Sequence, residues 1–204
     1  VSVPFGKRKL TGFVVNVKED QETDFEIKEI IKSVDKTPIF TSELLDTAKW
    51  MSKVYIASVG QILSMMIPSG RRESESALFS AEESFTPIKM LSEEQQSALD
   101  EINNNPGETF YLYGVTGSGK SEVYLRAAEE VIRQGRKVIY LVPEITLTHQ
   151  LLSDISLRFS NRVALLHSAL TPSQRLKHWH KIINGEADIA IGARSAVFAP
   201  FKDV

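Results

Sequence analysis

The chain has 204 residues, 42% of them hydrophobic, and a formal net charge of −2, which allows one good core or two smaller ones and excludes a global nucleic-acid charge signature. Any DNA contact must therefore come from local basic groups, and the absence of cysteine excludes disulfides and thiolate metal sites, which fits a cytoplasmic setting. No apolar run approaches the ~18 residues of a membrane span and no signal peptide opens the chain, so no membrane partner is expected.

The first 34 residues read as β structure: Val1 to Val3, Thr11 to Val17 and Phe25 to Val34, separated by the turn Pro4 to Lys9 and the acidic turn Glu19 to Asp24. Val15, Val17, Phe25 and Ile27 approximate the alternation of half-buried strands. Lys7-Arg8-Lys9 reads as a solvated hairpin tip. Thr41 is placed to cap a helix over 42–57 carrying Leu44, Leu45, Ala48 and Met51 at helical spacing, and its apolar stripe is expected to close the small sheet. A short helix over 59–66 ends before Pro68. Residues 69–90 turn polar and lose apolar periodicity, as a linker does.

Ser92-Glu-Glu-Gln95 is a capping box that opens a helix to about Asn103. From there the pattern is regular: strand 110–114, helix 119–134, strand 137–142, helix 147–159, strand 162–166, helix 172–183, strand 188–192. Repeated β–α units with continuous apolar strands, such as Val138-Ile-Tyr-Leu-Val142, indicate an α/β fold with a parallel sheet covered on both faces. Thr171-Pro172-Ser173-Gln174 again spells a helix start.

Between the first strand and helix of that series lies Gly114-Val115-Thr116-Gly117-Ser118-Gly119-Lys120-Ser121, a complete G-x-x-x-x-G-K-[ST] phosphate-binding loop. Its glycines let successive backbone N–H groups curl around a phosphate, and the helix that follows adds its N-terminal amides. Lys120 brings a full charge to the β- and γ-phosphates of ATP, and Ser121 offers its hydroxyl to Mg²⁺. Ligands of an open α/β sheet bind beyond the carboxyl ends of its strands. The segments there are the loop itself, Pro143-Glu144-Ile-Thr146, His167-Ser168-Ala-Leu170 and Gly192-Ala-Arg194-Ser195. Their hydroxyls, glycine and arginine suit a second anionic ligand beside the nucleotide.

The combination GVTGSGKSEVY (114–124), VPEITLT (142–148), LHSAL (166–170) and IGARSAVFAPF (191–201) resembles the first RecA-like motor lobe of the replication-restart helicases of superfamily 2. The resemblance implies that Pro143, Glu144, His167, Ser168, Gly192, Arg194 and Ser195 hold one DNA strand and that Gln95 reads adenine. Val-Pro-Phe-Gly-Lys (3–7), Gly-Phe-Val-Val (12–15) and Pro38-Ile-Phe40 resemble that family's domain for the 3′ end of the nascent leading strand, with Gly6 and Lys28 where its pocket residues lie. It further implies replication-fork DNA, primosome proteins and single-strand-binding protein as partners, and zinc held by cysteines that this sequence lacks.

Three departures accompany the likeness. The roughly 20 residues of the linker are too few for the family's winged-helix domain. The family's opening strands are missing ahead of Val1, and the sequence stops before the expected Asp-Glu-x-His. A fragment is therefore expected: residues 1–68 a partial 3′-end-binding domain, 69–90 a linker and 91–204 a truncated motor lobe that binds nucleotide but does not turn it over alone. His178 and His180, at i and i+2 on a helix, point apart and read as surface or packing residues. His167 reads as a structural histidine unless the likeness holds, Trp50 and Trp179 read as packing, and Arg194 could pair with Glu144. A P-loop kinase or transferase would need acceptor-site arginines after the loop helix, which are not found, and a non-catalytic fork-binding module is the remaining alternative.

Overall fold

The computed structural model describes residues 1–18, 26–68, 90–143, 149–168, 170–202 and 204. A hairpin opens the chain, with β1 (Ser2–Phe5) antiparallel to β2 (Arg8–Thr11). Gly6, at φ +58, takes the first position of the two-residue turn, where a left-handed residue matches the turn to the twist of its strands. That tight turn draws Pro4, Phe5, Arg8 and Lys9 into the ladder, so the expected separator at 4–9 shrinks to Gly6-Lys7 and the second strand ends where it was expected to begin. The third expected strand contributes a bridge: Ser2 N–H donates to Lys32 O and Ile31 N–H to Ser2 O, each at 2.9 Å. The acidic turn at 19–24 and nearly all of the linker lie outside the described residues.

Helix α1 (Ser42–Val54) starts where Thr41 Oγ1 accepts from Leu44 N–H at 3.2 Å. A capping box of Ser58 and Gln61 starts α2 (Val59–Met66), and one of Ser92 and Gln95 starts α3 (Glu93–Asn104). The remaining elements are α4 (Lys120–Arg133), β3 (Val138–Leu141), α5 (His149–Phe159), β4 (Val163–Leu166), α6 (Pro172–Ile183), β5 (Ile189–Gly192) and a 3-10 turn at Arg194–Phe198. The three last strands are parallel in the order β3-β5-β4, which puts β5 in the middle.

Alternation along β4 and β5 divides two cores. Val163, Leu165, Ile189 and Ile191 face Leu125 and Ala128 of α4 and Leu152, Ile155 and Phe159 of α5. Ala164, Leu166 and Ala190 face Trp179 and Ile182 of α6 together with Leu44, Ala48, Ile62, Leu63 and Met66 of α1 and α2. Small alanines on this second face leave room for the Trp179 ring, which is 1% exposed and donates its indole N–H to Ile39 O at 2.7 Å. The stripe of α1 thus seals the parallel sheet and not the hairpin it was expected to close. A ten-residue hairpin, Ser2 to Thr11, offers too little apolar surface to compete with a sheet face that already needs a cover.

Trp50 departs from its expected packing role: it lies on the outer side of α1, 61% exposed. His178 is buried, and burial, then Lys181 and Lys177, push its pKa down to about 4, so it packs as a neutral ring. Residues 110–114 have no ladder partner among the described residues, and Tyr111 and Tyr113 stand 88% and 84% exposed. Their apolar alternation signals a pleated surface but cannot itself supply a neighbouring strand.

Asp188 enters the central strand between two cations that precede its neighbours. Its carboxylate accepts from Lys137 Nζ at 2.7 Å and from Arg162 Nε and Nη2. The Arg162 hydrogen bond, outweighing partial burial, with Lys137 adding to it, holds the carboxyl down at about 2 from an ordinary 3.8. A depressed carboxyl pKa adds stability above the unfolded value that disappears as pH falls through the folded one. Asp188→Asn is expected to lower unfolding free energy by about 2 kcal/mol at pH 7 and to flatten the loss of stability between pH 4 and 2. Acid titrations of wild type and variant followed by circular dichroism check this, and parallel curves would refute it.

Candidate functional site

Four of the described helices start on a Ser or Thr that caps them: Thr41, Ser58, Ser92 and Thr171. Helix α4 starts instead on Gly119, left-handed at φ +81, with no side-chain cap. Its first-turn amides and the positive end of its dipole are thereby left to an external acceptor. The loop before it is tight. A Cβ at Gly114 would lie 2.7 Å from Ser118 Oγ, and one at Gly119 would lie 2.4 Å from Gln95 Nε2. Lys120 Nζ donates to Gly114 O at 2.6 Å and Val115 O at 2.8 Å, so its charge is folded back over the carbonyls of its own loop. Val115, Thr116, Gly117 and Ser118 are exposed around it. This arrangement fits a phosphate: the uncapped start of α4 and the Lys120 ammonium lie together, in a loop where a side chain at 114 would meet Ser118 and one at 119 would meet Gln95.

Gln95 joins two elements. Its Oε1 accepts from Ser92 N–H at 2.9 Å, completing the α3 cap, while its Nε2 donates to Ser118 O at 2.9 Å. The residue that closes the helix cap therefore also holds the phosphate loop. Ser121 is exposed at the start of α4, near the phenol of Tyr140 on β3. Burial, together with nearby Tyr124, raises the Tyr140 pKa, so the phenol stays protonated. Among the described residues no three His, Cys, Asp or Glu side chains gather around a metal position.

Behind the loop, Arg158 of α5 donates to both carboxylate oxygens of Glu122 at 2.9 Å, and its Nε lies 3.3 Å from Glu129. Arg126 adds a 3.0 Å contact to Glu122. Burial pushes the Glu122 carboxyl up, yet the hydrogen bonds from Arg158 and Arg126 outweigh it and the pKa falls. These bonds lock the first turn of α4 to α5. Tyr140 and Arg158 were not legible in the sequence, because nothing in a linear pattern links Arg158 to a glutamate 36 positions earlier.

The carboxyl ends of the strands share one edge, as parallel pairing requires. Pro143 is exposed after β3, Ser168 after β4, and Arg194 and Ser195 after β5. His167 is buried, and burial followed by Arg175 lowers its pKa, leaving a neutral imidazole at pH 7. Gly192 has a structural reason to be glycine: a Cβ there would fall 2.1 Å from Leu166 O. Glu144, and with it the pairing considered for Arg194, lies outside the described residues. Gly6 sits at the exposed hairpin tip and Lys28 on an exposed stretch without regular structure, both away from the phosphate loop in the chain.

Comparison with known proteins adds two family matches. The model of the 3′ DNA-binding domain (3′BD) of PriA matches residues 1–68, and that of the DEAD/DEAH box helicases matches residues 92–203. Replication restart protein PriA of Treponema pallidum is 45% identical over 210 residues, covering 99% of this chain and 32% of the relative. That of Bacillus subtilis is 42% identical over 118 residues, covering 56% and 15%, and that of Rickettsia conorii is 32% identical over 217 residues, covering 100% and 31%. The chain spans about a third of the length of the relatives that it matches from end to end.

Proposed function

This chain belongs to the DEAD/DEAH box helicase family, and from that membership, joined to its likeness to replication restart protein PriA, we propose an ATP-dependent DNA helicase of 3′-to-5′ polarity that recognises stalled or collapsed replication forks and initiates primosome assembly. The observation that carries the reading is the uncapped start of α4 behind a glycine loop, with Lys120 poised on loop carbonyls. In this reading Gly114 to Ser121 cradle the nucleotide, Lys120 moves from the carbonyls to the β- and γ-phosphates, Ser121 holds Mg²⁺, and Gln95 lies beside the adenine. Bound ATP supplies the phosphoanhydride whose cleavage drives movement. Pro143, Glu144, His167, Ser168, Gly192, Arg194 and Ser195 hold the backbone of one strand, while Gly6 and Lys28 lie near the 3′ terminus. Residues 1–68 then form the 3′-end unit, 69–90 the linker and 91–204 the first motor lobe. Primosome proteins and single-strand-binding protein are the proposed partners, and any zinc is bound outside these cysteine-free residues.

The intact protein is expected to unwind model forks only with ATP and Mg²⁺ and to prefer a fork whose leading strand ends in a free 3′-hydroxyl over one ending in 3′-phosphate. Unwinding from 5′ to 3′, or equal rates without ATP, would overturn the proposal.

A further inference from the structure

Where the end of α2 meets the lobe, a cavity of about 110 Å³ opens beside the carboxyl edge of the sheet, and its polar lining consists of Ser64, Arg175 and Ser195. Met66, Leu166 and Trp179 supply part of its apolar wall. Arg175 closes the first turn of α6, its N–H donating to Thr171 O at 3.0 Å. Its Nε is buried and makes no hydrogen bond, and among the described residues no carboxylate pairs with it. An arginine that lines a cavity with no carboxylate beside it suits an oxyanion, the partner whose geometry a guanidinium fits best. Ser64 and Ser195 both line the cavity and bring hydroxyls that can donate to an anion, and Ser195 belongs to the segment already proposed to lie along the DNA strand. His167, close enough to feel the charge of Arg175, stands on the same edge.

We propose that this cavity receives one backbone phosphate of the bound single strand, with Arg175 as its principal ligand and Ser64 as a contact from the amino-terminal unit. The inference rests on the helicase reading, since it needs a strand running along residues 167–168 and 194–195. It also goes beyond that reading: the tail of α2 becomes one wall of the DNA track, so the 3′-end unit touches the strand that the motor moves. The cavity is lined by both parts of the chain, the amino-terminal one through the end of α2 and the two residues after it, Ser64 to Pro68.

The test uses the intact protein and oligodeoxythymidylate, with affinity measured against salt. Arg175→Gln is expected to weaken binding about tenfold and to reduce the slope of log affinity against log salt by ~0.7, the value of one single-strand phosphate contact. Arg175→Lys keeps the charge and is expected to restore most of the slope, and Ser64→Ala is expected to weaken binding two- to threefold without changing it. Melting temperatures within a few degrees of wild type establish that the variants fold. If wild type binds the oligonucleotide and Arg175→Gln binds it with the same affinity and slope, the cavity proposal is wrong while the DNA reading stands. If wild type itself fails to bind, both fall. Orthophosphate that binds at millimolar levels in wild type and not in Arg175→Gln, yet leaves oligonucleotide affinity unchanged, would assign the cavity to free phosphate and overturn its place on the DNA track.

Discussion

Replacing Lys120 with alanine is expected to abolish ATP binding, with affinity falling at least ~100-fold, while the fold survives. The loss follows from the two charge-assisted contacts that the ammonium can give to phosphate, each worth roughly 1.5–3 kcal/mol. Folding is spared because the present partners of Nζ are the carbonyls of Gly114 and Val115. These lie in a water-accessible loop and can hydrogen-bond to solvent once the lysine is gone, so the cost to stability is about 1 kcal/mol. Lys120→Arg keeps the charge but not the compact point geometry that the loop admits, and is expected to recover little affinity. Calorimetric titration with ATP and Mg²⁺, alongside thermal melts, separates the two effects. Equal affinity in wild type and Lys120→Ala would remove the nucleotide assignment.

Trp179→Ala should be the most destabilising single change in the second core. The indole is fully buried among Ala164, Ala190 and the residues of α1 and α2, and truncating such a ring costs about 3–5 kcal/mol. Its N–H is also the donor to Ile39 O, so the variant leaves that carbonyl without its partner. For a domain of this size the sum corresponds to a melting temperature lower by roughly 10 °C. Trp179→Phe keeps most of the volume, loses the donor and is expected to lose about a third as much. Limited proteolysis gives the second readout: cleavage within residues 37–68 should rise sharply in Trp179→Ala, because α1 and α2 lose the wall they rest on. An unchanged cleavage pattern would show that these helices are held by something other than the α6 face.

Local chemistry decided what could be read from the sequence. Thr171-Pro-Ser-Gln174 folds into a capped helix because the cap, the proline and the glutamine act within one turn, and α6 runs as expected from Pro172 to Ile183. The bend of the glycine loop before α4 was legible for the same reason, since its glycines answer to steric limits nearby. What α1 packs against was not legible, because its stripe of Leu44 and Ala48 fits any apolar surface and the choice was made by alanines on β4 and β5 more than 100 positions later. The strand at 110–114 was misjudged for a related reason: alternation describes one strand, and a ladder needs two. The motif that contains Gly192 could be read, but not that a Cβ there would fall against Leu166 O, since that approach is between neighbouring strands. Arg175 gave no signal at all, because an arginine on a helix is ordinary until its surroundings leave it without an acceptor.

The strand order β3-β5-β4 also sets a timetable for synthesis. The middle strand is the last of the three to leave the ribosome, so β3 and β4 emerge with a gap between them that only residues 189–192 can fill. Lys137 waits through 51 positions for Asp188, and Ile39 through 140 for Trp179. The helices made first therefore lack part of the surface they dock on until β5 appears. A nascent chain halted before Asp188 would carry two unpaired strands and two helices with bare apolar faces, a form that chaperones bind and proteases cut.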